Sequence, residues 1–490
     1  MTDFFGKTFK YTFLFLALLE LFSLLGSVIP QLNQTIFFII TLGAIILTLH
    51  KLEHGFYLLL AELFVGGKGY LFSLDVSGMV LSIRMVLFLI VIAVWLVKQI
   101  QNSKFKISKK NLLPTSYLLL PYSLLSLFVT IGLINVSLNN EPRNVFFDFN
   151  AWLYFALIFV FFHLLKNKTV IRESIQVLTA ATSYLALKTL VVLLLFSHNV
   201  AGIGGVFYKW IRDSGVGEIT YVSGTIFRVF FQSQIYILIG FLIILTILIS
   251  QKKLDKKSLW LSGAYLYLAS LAILISQSRS FWVGGVLALL TLIIIGWWRL
   301  GLEIKKTTGL IIILIIMFIS QIFLVQLLTG NLTGNLVGER FKNLPTEAAG
   351  QSRLNQLEPL TYNIFQRAVF GYGFGKELTY LSSDPRILET HPGGVYTTYA
   401  FEWGYLDIWL KIGLLGLFSY GLLIGVIFYQ GIQNPKSKIQ NLGLLIGLVA
   451  LLITNIFSPY LNHPLGIGYI MLVSAILINE RNASLINPKL

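Results

Sequence analysis

The sequence predicts an all-α polytopic membrane protein with about 12–14 transmembrane helices and one large extracytoplasmic loop. Three observations predict this class. The 490 residues are 56% hydrophobic, with a mean hydropathy of +0.79. Apolar runs repeatedly reach the ~20 residues that a bilayer-crossing helix needs. Basic residues recur in every second connection between these runs, as they do on the cytoplasmic side of membrane proteins.

The apolar windows are expected to form one integral membrane domain over 1–490. The window 55–72 contains Glu62, so it is either a full crossing or a re-entrant segment, and the predicted number of helices is therefore a range. The predicted spans are 11–29, 35–50, 55–72, 78–97, 112–134, 149–165, 173–197, 227–249, 259–276, 281–298, 308–328, 405–429, 439–458 and 464–479.

The distribution of basic residues predicts the orientation. Of 37 Lys and Arg residues, 22 fall in alternate connections and at the two ends, and only 3 of those are arginine. Because cytoplasmic segments carry the Lys/Arg excess, both termini are expected in the cytoplasm. The remaining 15 basic residues include 9 arginines. The net charge of +16 is thus mainly a topology signal, and without a basic–aromatic stripe no nucleic-acid partner is expected.

Two outer segments, about 198–226 and about 329–404, are too long to be simple turns. Long irregular segments in compact proteins are usually functional or disordered. The second segment is expected to contain a helix near 351–369 and to end where the chain re-enters the membrane. Any chemistry is therefore expected on this side of the protein.

Several arginines on that side are candidates for binding an anion, since the planar guanidinium contacts phosphate through two donors. Arg279 lies in a short Ser- and Gln-containing turn, where it either binds an anionic ligand or reaches lipid headgroups. Arg228 and Arg84 lie near span ends and either serve a site or pair with Glu62 or Glu20. Arg353 and Arg367 are about four turns apart on the expected loop helix, where the alternative is a solvated surface.

Other loop residues have similarly open roles. Gly371, Gly373 and Gly375 lack the strand–helix context of a phosphate-binding loop, so a loop-shaping turn is expected. His391 is either a base or a turn residue beside a proline. Glu402 follows Phe401 and precedes Trp403, where it is either a general base or a glutamate favoured at a helix start.

Groups that hold metals are not apparent in these segments. There is no Asp-x-Asp pair, and Asp384 and Asp407 stand alone in the sequence. With no cysteine, a cysteine-ligated metal is excluded as well. No metal and no other cofactor is therefore expected.

In its second half the chain resembles the bacterial O-antigen ligase and polysaccharide polymerase superfamily. The resemblance rests on an ordered set of features between Ser276 and about Gly421. These are the Ser278-Arg279 turn before a long span, Ser352-Arg353 on a loop helix, Phe370 followed by the Gly371–Gly375 turn, Glu402-Trp403, and Gly413-Leu-Leu-Gly416.

The resemblance implies a helix bundle in the inner (plasma) membrane that takes a glycan from an undecaprenyl-pyrophosphate carrier on the outer face. It implies that Arg279 and Arg353 occupy the positions of the superfamily's two arginines that hold the pyrophosphate. The ligase branch has a histidine at the position of Glu402, and this departure favours a polymerase of O-antigen or exopolysaccharide repeat units. Implied partners are the lipid-linked oligosaccharide donor, a glycan acceptor, the bilayer and a chain-length regulator or flippase of the same pathway.

Three other functions stay open from the sequence. The first is an O-antigen ligase that transfers to a lipid or protein acceptor. The second is a lipid-linked glycan flippase or transporter, which typically shows internal repeats and short loops on both faces. The third is a shape-determining peptidoglycan polymerase, which the chain resembles less in the order of its motifs.

Overall fold

A computed structural model describes residues 4–76, 79–101, 116–136, 140–200, 203–250, 255–331, 338, 348–433 and 438–486. The described chain is mainly helical, with three short antiparallel hairpins. Of the predicted loop 329–404, residues 332–337 and 339–347 lie outside the described residues, as does most of the basic connection that follows the predicted span 78–97.

The elements are, in order, α1 (Lys7–Val28), α2 (Pro30–His50), α3 (Leu52–Val65), β1 (Ser73–Val76), β2 (Met79–Ser82), α4 (Ile83–Gln101), α5 (Ser116–Ile134), α6 (Pro142–Phe149), a 3-10 segment (Asn150–Leu157), α7 (Ile158–Leu164), α8 (Lys168–Ser197), α9 (Ile203–Asp213), β3 (Gly217–Ser223), β4 (Ile226–Phe231), α10 (Gln234–Ser250), α11 (Lys256–Ser276), α12 (Arg279–Leu300), α13 (Ile304–Thr329), α14 (Ala348–Gln366), β5 (Leu378–Leu381), α15 (Pro385–Thr390), β6 (Val395–Thr398), α16 (Gly404–Gln433), α17 (Lys438–Thr454) and α18 (Pro464–Ile486).

The all-α polytopic membrane class is confirmed. Within the described residues, nine helices are long and apolar enough to cross a membrane, and four shorter apolar helices accompany them. In α13 the side chains of Ile313, Ile316 and Phe323 are about 60% exposed. A helix that presents large apolar side chains outward along its length is typical of a lipid-facing surface.

Three predicted span boundaries are wrong. The window 55–72 is not one helix, because α3 ends at Val65 and a Gly-rich turn follows. The windows 78–97 and 227–249 begin as strands β2 and β4, so Arg228 lies on a strand. The outer segment 198–226 contains the helix α9 and most of a hairpin. At the start of these apolar runs, apolar and polar residues alternate over only a few positions. This pattern is too short to distinguish a strand from a helix.

The chain divides into two compact units, which are described separately. The first comprises 1–108, 160–334 and 437–450. Its centre is the 30-residue helix α8, which is buried along most of its length and packs against α1, α3, α10 and α11. The helix begins at Asn167, whose side chain accepts a hydrogen bond from the Thr169 N–H, as N-cap residues do.

The second unit comprises 109–159, 335–436 and 451–490. Its central helix is α16, which packs against α5, α14 and α18. The β5–β6 hairpin packs on α14, near the start of α16 in sequence. The buried cluster that joins these elements consists of Leu360, Ile364, Leu378, Phe401 and Leu410.

Candidate functional site

The helix α16 is interrupted at Gly413, which has φ 74° and ψ 178°. An interruption inside an apolar helix frees backbone N–H and C=O groups that need new partners. The loop that follows α14 supplies them. The Leu414 N–H donates to the Ala368 carbonyl (2.8 Å), and the Tyr372 N–H donates to the Leu410 carbonyl (2.7 Å). The break is therefore a satisfied part of the fold, and broken membrane helices often mark binding sites.

The same loop contains the three glycines at alternate positions. Gly371, Gly373 and Gly375 have φ of 71°, 89° and 74°. A Cβ on Gly371 would lie 2.7 Å from the Gly413 nitrogen, and one on Gly373 would lie 2.6 Å from the Gly132 oxygen. These positions need both the left-handed backbone and the close approach that glycine allows. The predicted loop-shaping turn is confirmed.

A buried charged network lies beside the interruption. The Lys411 ammonium contacts a carboxylate oxygen of Asp148 at 2.5 Å and one of Asp407 at 2.7 Å. The Asn462 side-chain amide donates to Asp407, and the Gly375 N–H donates to Asp148 at 2.8 Å. The three charged side chains are at most 8% exposed. The network thus links α6, α16, the glycine loop and the start of α18.

The interpretation that Asp407 stands alone is wrong. Asp407 and Lys411 are four residues apart on one helix, a spacing that brings side chains together. This spacing within an apolar span was a readable signal. The contribution of Asp148 was not readable, since it comes from 263 residues away in sequence.

Arg353 and Glu402 form an ion pair at the junction of the predicted loop and α16. The Arg353 Nε donates to a carboxylate oxygen of Glu402. The two side chains are 33% and 42% exposed, so both remain accessible. The Trp403 indole N–H donates to the Arg353 carbonyl (2.8 Å), and the Glu402 N–H donates to the buried Gln356 side chain (3.2 Å). These hydrogen bonds therefore hold the Arg353 cation and the Glu402 carboxylate next to each other.

The β5–β6 hairpin supports this pair. The Tyr380 hydroxyl hydrogen-bonds with Gln356 and Ser382, and burial raises the pKa of Tyr380 above its usual value. It therefore remains a neutral hydroxyl at physiological pH. The Asn355 side chain donates to the Leu381 carbonyl at 2.8 Å. These contacts connect the first half of α14 to the hairpin.

The other two candidates in the loop have different neighbours. His391 follows α15 and is exposed, and its Nδ1 lies 2.9 Å from the Thr390 hydroxyl. Arg367 is also exposed and lies one residue beyond the end of α14, so its predicted place on that helix is wrong. The backbone turns there towards the glycine loop, and the guanidinium lies 4.8 Å over the Tyr372 ring.

In the first unit, Arg84 is part of a buried structural pair. Its Nε and one Nη donate to both carboxylate oxygens of Glu62, at 2.7 and 3.0 Å, and the other Nη donates to the Gly67 carbonyl at 2.7 Å. The side chains of Arg84 and Glu62 are 4% and 8% exposed. Of the two alternatives for Arg84, the structure shows the buried ion pair.

Arg228 contacts the turn of the first unit that precedes Arg279. The Arg228 Nε donates to the Ser276 carbonyl at 3.1 Å, three residues before Arg279. Arg279 begins α12, where helix N–H groups favour anions. The Phe230 ring lies under the Arg228 guanidinium (4.8 Å) and near Phe281 (5.7 Å). The hairpin thereby brings Arg228 into contact with the turn that precedes Arg279, although the two arginines are 51 positions apart (279 − 228).

Glu20 was one of two predicted glutamate partners of Arg84 and Arg228. In the structure it pairs with Lys188 instead. The two groups are 2.5 Å apart and buried. The ammonium also lies 4.5 Å from the Trp210 ring and 4.7 Å from the Phe231 ring, which stabilise a cation through their π faces.

Among the described residues, no group of three or more His, Asp or Glu side chains is arranged to hold a metal ion. A scan against models of protein families finds no match to this chain, and a search of curated proteins finds none either.

Proposed function

We propose that the protein transfers a glycan, without a metal, from an undecaprenyl-pyrophosphate carrier on the outer face of the plasma (inner) membrane, and that it polymerises surface polysaccharide repeat units. The observation that carries the proposal is the accessible Arg353–Glu402 pair at the membrane end of the loop. The order of motifs that resembles the polymerase superfamily supports it. The orientation, with both termini in the cytoplasm, belongs to the same proposal.

The pair contains the two groups that this reaction needs. Arg353 contacts Glu402 through Nε, and the other N–H groups of the guanidinium fork suit a diphosphate. A diphosphate at Arg353 would compete with the carboxylate for the same cation. Binding of the donor would then release Glu402 as the base, with exposed His391 as the alternative base.

The proposed step conserves atoms and charge. An acceptor hydroxyl attacks the anomeric carbon, its proton passes to Glu402, and the bond from that carbon to the carrier oxygen breaks. The electron pair leaves on undecaprenyl pyrophosphate, and preoriented arginine stabilises the developing negative charge. The new glycosidic bond extends the acceptor chain by one donor glycan.

The other arginines have separate roles in the proposal. Arg279, which the resemblance places at a pyrophosphate-binding position, and Arg228 are proposed as an anion-binding group in the first unit, and separate variants test it. Arg84 has no role in binding the diphosphate, because its guanidinium already donates hydrogen bonds to Glu62 and Gly67. Arg367 is a secondary candidate, since it is exposed and rests on Tyr372.

The test is a complementation experiment with Arg353→Gln and Glu402→Gln in a deletion strain. Glu402→Gln preserves size and removes the charge, whereas Arg353→Gln keeps a hydrogen-bonding amide and removes the cation. Each change is expected to reduce polymer formation on the order of 10²–10³-fold. Protein abundance in the membrane should stay the same. The control is Glu358→Gln, a change at an exposed position on the same helix as Arg353. Full-length polymer from both test variants at normal abundance would refute the proposal.

The glycans of the deletion strain distinguish the alternatives. Single repeat units on the acceptor are expected for a missing polymerase. Full-length chains left on the lipid carrier would indicate a ligase, and repeat units confined to the cytoplasmic leaflet would indicate a flippase. A growth defect of the cell wall with normal surface polysaccharide would indicate a peptidoglycan polymerase.

A further inference from the structure

The first unit contains a cleft with a mixed polar and apolar lining, and none of the proposed catalytic residues lines it. Its volume is about 330 Å³, at the lower end of the range typical of small-molecule sites, about 300–1,000 Å³. The walls come from the ends of α1 and α2, the β1–β2 hairpin and α9. The polar and charged residues of the lining include Asn33, Gln34, Tyr70, Asp75, Lys209 and Asp213.

The walls are joined by hydrogen bonds between separate segments. The Ser23 hydroxyl donates to the Leu71 carbonyl at 2.7 Å, and the Trp210 indole N–H donates to the Ser23 hydroxyl at 3.0 Å. Ser23 and Trp210 are buried, and the Lys188 ammonium lies over the Trp210 ring. These contacts fix α1, the segment before β1 and α9 together, so the cleft is already formed without a ligand.

The chemistry of the lining indicates a neutral, hydroxyl-rich ligand. The charged lining residues are one cation, Lys209, and two carboxylates, Asp75 and Asp213, and Asp213 also pairs with Arg212 at 3.4 Å. A diphosphate would therefore find no excess of positive charge in this lining. The amides of Asn33 and Gln34 both donate and accept hydrogen bonds, which suits hydroxyl groups that do the same.

An aromatic ring completes the pattern. Tyr70 is half-buried at the cleft and presents an apolar ring beside a polar tip. Sugar rings combine apolar C–H faces with a rim of hydroxyls. We propose that this cleft binds a short neutral saccharide. The proposal does not rest on the catalytic role of Arg353 and Glu402, because it uses none of their contacts.

The test uses the full-length protein in phosphatidylcholine nanodiscs, because maltoside detergents themselves present a sugar. Saturation-transfer difference NMR is recorded with galactose, N-acetylglucosamine and rhamnose as neutral probes. Inorganic phosphate and glycerophosphoethanolamine are the headgroup probes. At least one neutral sugar is expected to bind, and the variant Asn33→Ala/Gln34→Ala should weaken it about tenfold, because two amide hydrogen-bonding groups are lost.

The matched control is Thr35→Ala, a change at the next, exposed position that does not line the cleft, and it should leave binding unchanged. If the double variant fails to fold, Gln34→Ala and the exposed Asp75→Ala replace it. Absence of binding by all three sugars, or binding that the lining variants do not affect, would overturn the proposal. Binding of only the headgroup probes, lost in the same variants, would overturn it in favour of a lipid headgroup. A Glu402→Gln protein that loses polymer formation but still binds sugar would separate this cleft from the catalytic proposal.

Discussion

Gly413 and Val369 touch through their backbones, because a Cβ built on Gly413 would lie 2.1 Å from the Val369 carbonyl oxygen. The interruption of α16 and the loop after α14 therefore fit each other without space for a side chain. This contact, with the hydrogen bonds on either side of it, turns a membrane helix into two joined segments.

The change Gly413→Ala is expected to destabilise the protein. A left-handed backbone costs a non-glycine residue about 1–3 kcal/mol, and the contact with Val369 adds to it. Thermal unfolding of the purified protein should show a lower melting temperature. The control is Gly421→Ala in the same helix, where a Cβ meets open space. Equal melting temperatures for the two variants would contradict the close fit.

Removal of the Lys411 charge is expected to be more damaging. In Lys411→Met two buried carboxylates, Asp148 and Asp407, lose their cation, and breaking a buried pair costs about 3–5 kcal/mol. Membrane abundance and melting temperature should both fall. Adding Asp148→Asn and Asp407→Asn should restore part of the loss, whereas the exposed Lys257→Met should behave as wild type.

The Glu62–Arg84 pair is expected to stabilise the folded protein. Arg84→Met alone should cost about 3–5 kcal/mol, because Glu62 is left buried and unpaired. The double variant Arg84→Met/Glu62→Leu should recover part of the loss, and a double-mutant cycle measures this coupling. As a control, Arg212→Met removes the exposed pair with Asp213 and should change stability by less than about 1 kcal/mol. A cycle without coupling would show that the buried pair is unimportant.

A different result is expected at the turn that joins Arg228 and Arg279. Arg228→Lys and Arg279→Lys keep the charge but lose the planar fork, so polymer yield should fall at least about tenfold while membrane abundance is unchanged. The assay is surface polysaccharide per unit of membrane protein. The exposed Arg212→Lys is the control. Normal polymer in both test variants would remove this turn from the proposed function.

Sequence patterns predicted the long spans well, because about twenty apolar residues can only be accommodated by a bilayer or a large core. Helices α11, α12 and α13 begin and end within a few residues of the predicted windows. The patterns failed where a short strand preceded a helix, as at β4. They also failed at α3, whose 14 residues, ten of them buried, look like part of a longer span.

The candidate site was predictable only in part. Arg353 and Glu402 were each identified from their type and position, but their direct contact joins residues 49 apart and had no signal in the sequence. Arg84 had two possible glutamate partners, and only the three-dimensional packing selected Glu62. Asp148 had no sequence signal that marked it as part of the site, because an aspartate near the start of a span resembles an ordinary interfacial residue.

The distance in sequence between Asp148 and Lys411 has a consequence for biogenesis. During synthesis the carboxylate of Asp148 enters the bilayer more than two hundred residues before its cation is made. A polar group in the apolar phase without its partner is costly, at about 2.5–3.5 kcal/mol for a charge at the centre of a helix. Nascent chains that stop before α16 thus contain the Asp148 carboxylate without the Lys411 ammonium that neutralises it in the complete fold.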